Sequence, residues 1–88
     1  MKKNNTDTGL ELQILRPYEK EVIRVSWFEV KSPTGEFIVS RDHLPLVSTI
    51  KERTKLQYER LPDKKLVELD AYGGFLKVQN NIAILLFA

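Results

Sequence analysis

Apolar residues at every second position are the feature that most constrains the fold of this chain. The alternation covers residues 10–14, 23–27 and 56–58, where polar side chains fill the intervening positions. Because successive side chains of a β-strand point to opposite faces, this period indicates strands with one buried face and one polar face. One-sided burial is typical of antiparallel sheets. Several such short strands, separated by turn residues, predict an all-β antiparallel sandwich or barrel.

Two apolar runs lie near the carboxyl end of the sequence. Residues 75–78 and 82–87 are the most apolar stretches of the chain, and we expect them to form buried strands. Asn80 and Asn81 separate the two runs. Because asparagine tolerates positive φ, this pair predicts a tight hairpin turn between two neighbouring strands.

The segment 45–61 has two interpretations. A helix would place Leu46, Ile50 and Gln57 near one face. The β-branched residues of the segment disfavour that helix, and the alternation of residues 54–60 favours a strand. We therefore expect a short strand at residues 46–50, a turn at residues 51–53 and a second strand that ends at Arg60.

The length of 88 residues allows one domain. We assign residues 1–9 to a flexible polar tail and residues 10–88 to a single β-sandwich domain. The chain has no cysteine and one histidine, so it has no disulfide framework and too few ligands for the usual zinc site. No segment approaches the roughly 20 apolar residues of a membrane-spanning helix, and residues 1–9 lack the apolar core of a signal peptide.

The charge pattern argues against nucleic acid as a partner. The net charge is +2, from 14 basic and 12 acidic residues. A nucleic-acid-binding protein usually has a concentrated basic stripe. Here Lys51, Arg53 and Lys55 interleave with Glu52 and Glu59, which is typical of a mixed-charge face exposed to solvent. We expect no nucleic-acid binding.

Gly73 and Gly74 open a strand that is otherwise regular. Glycine in a strand costs backbone entropy and packs no side chain, so the pair indicates a bulge or a close approach of another backbone. The motif continues as Gly-Gly-Phe-Leu-Lys-Val; earlier, residues 35–37 read Gly-Glu-Phe and residues 43–46 read His-Leu-Pro-Leu. In this order and separation, the chain resembles the amino-terminal domain of the epsilon subunit of bacterial F-type ATP synthase, called delta in mitochondria. The resemblance extends from about residue 10 to residue 88.

The resemblance implies a flattened β-sandwich of roughly ten short strands and a non-catalytic role. A domain of this family is a central-stalk, or rotor, subunit that binds the gamma subunit and the ring of membrane-embedded c subunits. It links the two so that proton flow is coupled to ATP synthesis. It has no active site, and we expect no cofactor and no metal. The chain would lie at the cytoplasmic face of the bacterial inner membrane, peripheral to it and held there through the complex.

The resemblance also assigns partner contacts to individual residues. Contacts with the c ring are expected from Gly35, Glu36, Asp42 and His43. Contacts with the gamma subunit are expected from Arg16, Gly73 and Gly74. We further expect the two c-ring loops, residues 32–36 and 40–44, to lie side by side at one end of the sandwich.

The chain departs from the family pattern at several points. Arg41 and Asp42 replace a Pro-Gly pair before the histidine; because aspartate tolerates the left-handed region, we expect this turn to persist. Glu52 and Arg53 replace another Pro-Gly pair, which predicts a different turn. Family members usually continue into two helices, whereas this sequence ends at Ala88 with the last strand. The regulation and ATP binding performed by those helices are therefore not expected here.

A second interpretation remains open. Because a fold alone does not determine function, the chain is alternatively a free-standing β-sandwich that binds a peptide or a nucleic acid. Trp27 and Phe28 point to opposite faces of a strand. One belongs to the core, and the other is either exposed to a partner or covered within the thin sandwich. The sequence has no phosphate loop and no nucleophile elbow, and we expect no enzymatic activity.

Overall fold

The computed structural model describes residues 9–87, which form eight β-strands and no helix. The strands are β1 (Leu10–Arg16), β2 (Glu19–Ser32), β3 (Gly35–Ser40), β4 (Leu46–Ile50), β5 (Thr54–Arg60), β6 (Lys65–Ala71), β7 (Gly74–Gln79) and β8 (Ile82–Phe87). The all-β class predicted from the alternation is confirmed, with eight strands in the described residues where the family resemblance implied more. None of these residues lies in a helix that is long and apolar enough to cross a membrane.

The strands of the described residues form one continuous sheet. Their order is β4-β7-β8-β1-β2-β5-β6, and β3 pairs with β2 beside this path. The first and last strands, β1 and β8, run parallel to each other. The other pairs are antiparallel, as the one-sided burial of the sequence predicted.

The long strand β2 joins the two halves of the sheet. Its residues 19–25 pair with β1, and its residues 27–32 pair with β3. On its opposite edge it pairs with β5, with a bulge between Val25 and Trp27. Because a bulge bends a strand and increases its twist, the sheet folds over at this point. We call β4, β7, β8, β1 and residues 19–25 the first layer, and residues 27–32, β3, β5 and β6 the second layer.

The two layers pack face to face around one apolar core. The first layer contributes Leu12, Leu76 and Leu85, and the second contributes Phe28 and Leu56, each no more than 2% exposed. These side chains alternate with exposed or half-buried neighbours along their strands. The fold is therefore a sandwich in which each layer has one buried face and one outer face.

The bulge in β2 changes which side chains face the core. Val25 is buried, and strict alternation would bury Trp27 next. Instead Phe28 takes the core position, and Trp27 is half-buried on the outer side of the second layer. Of the two adjacent aromatic residues, Phe28 is thus the core residue, and Trp27 keeps part of its ring at the surface.

The turns lie where the sequence predicted them. Asn80 and Asn81 have φ values of 55° and 61°, and residues 79 and 82 on either side pair directly, which defines a two-residue hairpin turn. Asp42 has φ 65°, so the left-handed turn persists without glycine. Arg53 has φ 53° in the turn between β4 and β5. The segment 45–61 therefore forms two strands, and the helix interpretation is wrong.

Gly74 lies where another backbone comes close. A Cβ atom at this position would clash with the carbonyl oxygen of Leu86 on β8, and the residue has φ +142°. The approach predicted from the paired glycines is confirmed, and the approaching backbone belongs to the neighbouring strand. Gly9, assigned to the tail, is buried before β1, and its carbonyl accepts hydrogen bonds from Arg24 and Arg41. Residues 1–8 of that predicted tail, and Ala88, lie outside the described residues.

Candidate protein-docking surface

An exposed apolar stripe follows β8 on the outer face of the first layer. Ile82, Ile84 and Leu86 point outward, since the residues between them face the core. Phe75 on β7 pairs with Leu86 and widens the stripe. Phe75 is 56% exposed and Leu86 is 48% exposed. Because clustered exposed apolar side chains mark interaction sites, the apolar stripe formed by these four residues is a candidate docking surface.

The apolar stripe corrects the expectation that residues 75–78 and 82–87 are buried throughout. Leu76, Val78 and Leu85 are buried, but Phe75 and Leu86 are not, because the first layer is covered by the second layer on one side only. The sequence did contain a signal for this surface. Residues 82–87 are apolar at both odd and even positions, and in a two-layer antiparallel fold such a strand has an apolar outer face.

A pocket of about 220 Å³ lies at the Leu86 end of the apolar stripe. It is lined by Arg16, Pro17, Asp70, Tyr72, Gly73 and Phe87. The guanidinium carbon of Arg16 lies 5.9 Å from the centre of the Phe87 ring, and its Nη1 lies 3.5 Å from Glu19 Oε1. The cation–π contact and the ion pair together hold the guanidinium against the aromatic wall of the pocket.

The structure brings together the residues that the resemblance assigned to the gamma subunit. Arg16 and Gly73 line the same pocket. Gly74 follows directly and belongs to the close contact between β7 and β8. Sequence analysis missed the aromatic lining from Tyr72 and Phe87. The sequence did contain a signal for this lining, because Tyr72 directly precedes the paired glycines.

Gly35 and Glu36 lie at the tip of the hairpin between β2 and β3. The Ser32 hydroxyl donates a hydrogen bond to the Gly35 carbonyl at 2.9 Å and closes the turn. Lys31 Nζ lies 3.7 Å from Glu36 Oε1. A Cβ at Gly35 would meet no atom of residues 9–87 within 4 Å, so the tip projects away from the described part of the chain. The hairpin tip therefore offers one carboxylate on an exposed turn.

Asp42 and His43 lie in a loop that is bound to the β7–β8 turn. The Asp42 amide donates to Asn81 Oδ1 at 2.6 Å, and Asn81 Nδ2 donates to Asp42 Oδ1 at 3.3 Å. His43 Nδ1 lies 2.7 Å from the carbonyl oxygen of Leu44. Because these contacts satisfy the polar groups of the loop internally, they give Asp42 a structural role.

The two loops expected to lie side by side are separated by β3. Residues 32–36 lead into β3, and residues 40–44 follow it. An extended strand of this length spans about 17 Å, since each residue advances the chain by about 3.3 Å. The predicted adjacency of Glu36 with Asp42 and His43 is therefore wrong, because one extended strand holds the two loops at its opposite ends.

The outer faces of the two layers differ in charge. The outward positions of the first layer carry Lys20, Arg24, Lys77 and a single carboxylate, that of Glu11. Those of the second layer carry Glu29, Glu36, Glu59, Glu68 and Asp70 with Lys31 and Lys55. We call these surfaces the basic face and the acidic face. Within residues 9–87, no three His, Cys, Asp or Glu side chains converge as metal ligands.

Solved structures share this fold. A chain of the Euglena gracilis mitochondrial ATP synthase structure, which includes the c-ring, matches with a TM-score of 0.83 and 19% identity over 98% of this chain and 54% of that chain. A chain from the central stalk and c-ring of the Tetrahymena thermophila mitochondrial ATP synthase matches with a TM-score of 0.75 and 13% identity, over 94% and 66%. At these identities the likeness shows the fold, which confirms the one that the sequence resemblance implied. No protein-family model and no curated protein matches the chain.

Proposed function

We propose that the chain is a central-stalk subunit of a proton-translocating F-type ATP synthase, linking a gamma-type rotor subunit to the c ring. The observation that carries this proposal is the apolar stripe leading into the pocket of Arg16 and Gly73, on a sandwich shared with chains of ATP synthase structures. In this role the chain is non-catalytic, because it holds two partners together and transforms no substrate.

The gamma-type subunit docks on the apolar stripe and the pocket. Burial of apolar surface stabilises association by about 25 cal/mol per Å² before the costs of binding are counted. Phe75 and Leu86 supply that surface, and the pocket beside Arg16 accepts a side chain of the partner. Among the described residues, only the Glu52 side chain lies near the place of the missing Cβ of Gly73, so a partner backbone can come close there.

The c ring is contacted by the hairpin tip of Gly35 and Glu36. This tip is exposed, and its carboxylate has only the partly exposed Lys31 as an ion-pair partner among the described residues. Asp42 and His43, the other predicted ring contacts, lie beyond the opposite end of β3, where Asp42 holds the β7–β8 turn through Asn81. We therefore assign ring contact to the hairpin tip and a supporting role to the second loop.

Binding to the gamma subunit of the same synthase tests the proposal. Replacing the two most exposed residues of the apolar stripe by serine (Phe75→Ser with Leu86→Ser) should weaken binding at least about tenfold, since aromatic anchors dominate interface energetics. The matched control is Ile38→Ser with Leu66→Ser, which removes 58% and 56% exposed side chains from the acidic face. Equal binding by all three proteins, measured by calorimetry, would contradict gamma docking on the stripe.

Charge reversal at the hairpin tip tests ring contact separately. A single exposed ion pair contributes less than about 1 kcal/mol, so Glu36→Ala should leave the subunit attached. Glu36→Lys should reduce the coupling of proton flow to ATP synthesis in the assembled enzyme without changing affinity for gamma. Asp63→Lys, at another exposed turn carboxylate, is the control. Unchanged coupling in Glu36→Lys would make the hairpin tip a plain turn.

The proposed role places the chain at an energy-transducing membrane, to which it is peripheral through the complex. The two structural neighbours come from mitochondrial enzymes. The cytoplasmic face of a bacterial inner membrane stays a prediction from the sequence resemblance, and fractionation of source cells with antibody detection would test it.

A further inference from the structure

Strand β6 ends the sheet and leaves one edge open. Among residues 9–87 it pairs with β5 alone, in a continuous register from Lys65 to Ala71 without a bulge. It contains no proline. A regular edge strand presents a row of backbone donors and acceptors along its outer side, and these can pair with a further strand.

The inward side chains of β6 are incompletely covered. Val67 and Leu69 face the core but are half-buried, whereas Leu56 and Tyr58, which face the core from the adjacent β5, are buried. The difference arises because β5 has a strand on each side and β6 has one. Apolar surface therefore remains exposed along the open edge, where another strand would cover it.

The outward side chains of β6 carry negative charge. Glu68 and Asp70 belong to the acidic face, and both already accept hydrogen bonds from β5 on one side. Gln57 Nε2 donates to Glu68 Oε2 at 3.2 Å, and Lys55 Nζ donates to Asp70 Oδ1 at 2.9 Å. An added strand along the open edge would lie on the side of Glu68 and Asp70 away from β5. Its basic side chains would be as close to the two carboxylates as the side chains of β5 are.

We infer that β6 accepts an extended segment of a partner protein as an additional strand, and that this segment alternates basic and apolar residues. Its backbone pairs with the open edge, its basic side chains lie beside Glu68 and Asp70, and its apolar side chains cover Val67 and Leu69. Strand addition of this kind takes affinity from the main chain and specificity from alternate side chains. The inference does not rest on the stalk role, since it uses neither the apolar stripe nor the hairpin tip, although Asp70 also lines the pocket beside Arg16.

A second copy of this chain is a poorer occupant of the same edge. When two β6 strands pair antiparallel with their inward side chains on one side, the register of full overlap places Glu68 opposite Glu68. Like charges directly opposite each other destabilise a strand pair. The edge strand β4 is also a poorer site for a basic segment, because its outward residues Val47 and Thr49 carry no charge.

Synthetic peptides test the inference on the full chain. The probe is a capped heptapeptide of alternating lysine and valine, and the controls are a peptide of the same composition with its valines contiguous and an alternating glutamate–valine peptide. The alternating lysine peptide should protect every second amide of β6 from hydrogen exchange and should bind at least about tenfold more tightly than either control. Equal binding by the contiguous peptide, or protection of β4 instead of β6, would overturn the inference.

Charge reversal on β6 gives a second readout. Glu68→Lys with Asp70→Lys should weaken the lysine peptide about tenfold and favour the glutamate peptide. The control Glu19→Lys with Glu29→Lys changes the net charge equally but lies on β2, which β5 separates from β6. NMR spectra of each variant verify the fold. An equal loss of affinity in the control would show general electrostatic attraction and would overturn strand addition at β6.

Discussion

The basic face and the acidic face are produced by the same alternation but carry different residues. On the basic face, the outward positions of β8 hold Ile82, Ile84 and Leu86. On the acidic face, the outward positions of β6 hold Glu68 and Asp70 beside one leucine. In both layers the intervening residues face the core. Alternation therefore determines which side chains enter the core, whereas the outward residues are free to bind the surface of a partner.

The two faces also differ in what a partner adds. Carboxylates of the acidic face have local partners, such as Lys55 for Asp70 and Gln57 for Glu68. Exposed pairs of this kind contribute little to stability, but they leave few polar groups in need of a partner. The apolar stripe has no such local compensation, because only burial removes apolar surface from water. A partner therefore gains more binding free energy by covering the apolar stripe of the basic face than by covering the acidic face.

The largest expected difference between the layers concerns their glycines. Gly74→Ala should destabilise the first layer by about 4 kcal/mol or prevent folding, because the new methyl group meets the Leu86 carbonyl in a backbone conformation unsuited to alanine. Gly35→Ala in the second layer has open space and should cost about 1 kcal/mol of backbone strain. Urea unfolding of both variants measures the difference. Similar losses would show that the contact between β7 and β8 relaxes.

Replacing leucine by alanine should reduce the free energy of unfolding more at inward than at outward positions, in both layers. Leu85→Ala and Leu56→Ala each remove a buried side chain and should cost about 3 kcal/mol of unfolding free energy. Leu86→Ala and Leu66→Ala remove outward side chains and should cost less than about 1 kcal/mol. Chemical denaturation checks all four variants. A large loss in Leu86→Ala would mean that the apolar stripe stabilises the isolated chain instead of serving a partner.

Much of the fold could be predicted from the sequence because alternation and turn chemistry are local. The boundaries of β4 and β5 followed from the phase of residues 54–60, and the β7–β8 turn followed from Asn80 and Asn81. The bulge in β2 could not be predicted in this way. It lies where β2 changes its partner from β1 to β3, and it decides that Phe28, not Trp27, enters the core.

The candidate site was predicted less well because it depends on contacts between distant segments. Arg16 and Gly73, which stay predicted contacts of the gamma subunit, line one pocket. The proposed meeting of Glu36 with His43 failed, because spacing in the sequence did not reveal that the intervening residues form a straight strand. The apolar stripe was mistaken for core, since hydrophobicity alone does not tell which face of β8 is covered.

The core of the second layer contains an ionisable side chain, that of Tyr58. Burial raises the pKa of its phenol above the ordinary value of 10.0, and the nearby Glu21 carboxylate acts in the same direction. As the pH rises, the phenol of the unfolded chain therefore loses its proton before that of the folded chain. The free energy of unfolding should then fall as the pH increases above about 10. The first-layer core residues Leu12, Leu76 and Leu85 do not titrate.

Tyr58→Phe should reduce this alkaline loss of stability while keeping the core filled. This reduction is the smallest difference that we expect between the two layers. The loss should not disappear entirely. The hydrogen bond to Asp70 raises the pKa of Lys55. The contribution of Lys55 to the free energy of unfolding is therefore also present at neutral pH and lost as the pH rises through that pKa. Urea unfolding between pH 8 and about pH 11 measures the effect, with the fully exposed Tyr18→Phe as the control. If Tyr58→Phe and the native chain lose stability in parallel, the phenol does not remain buried in the second layer at alkaline pH.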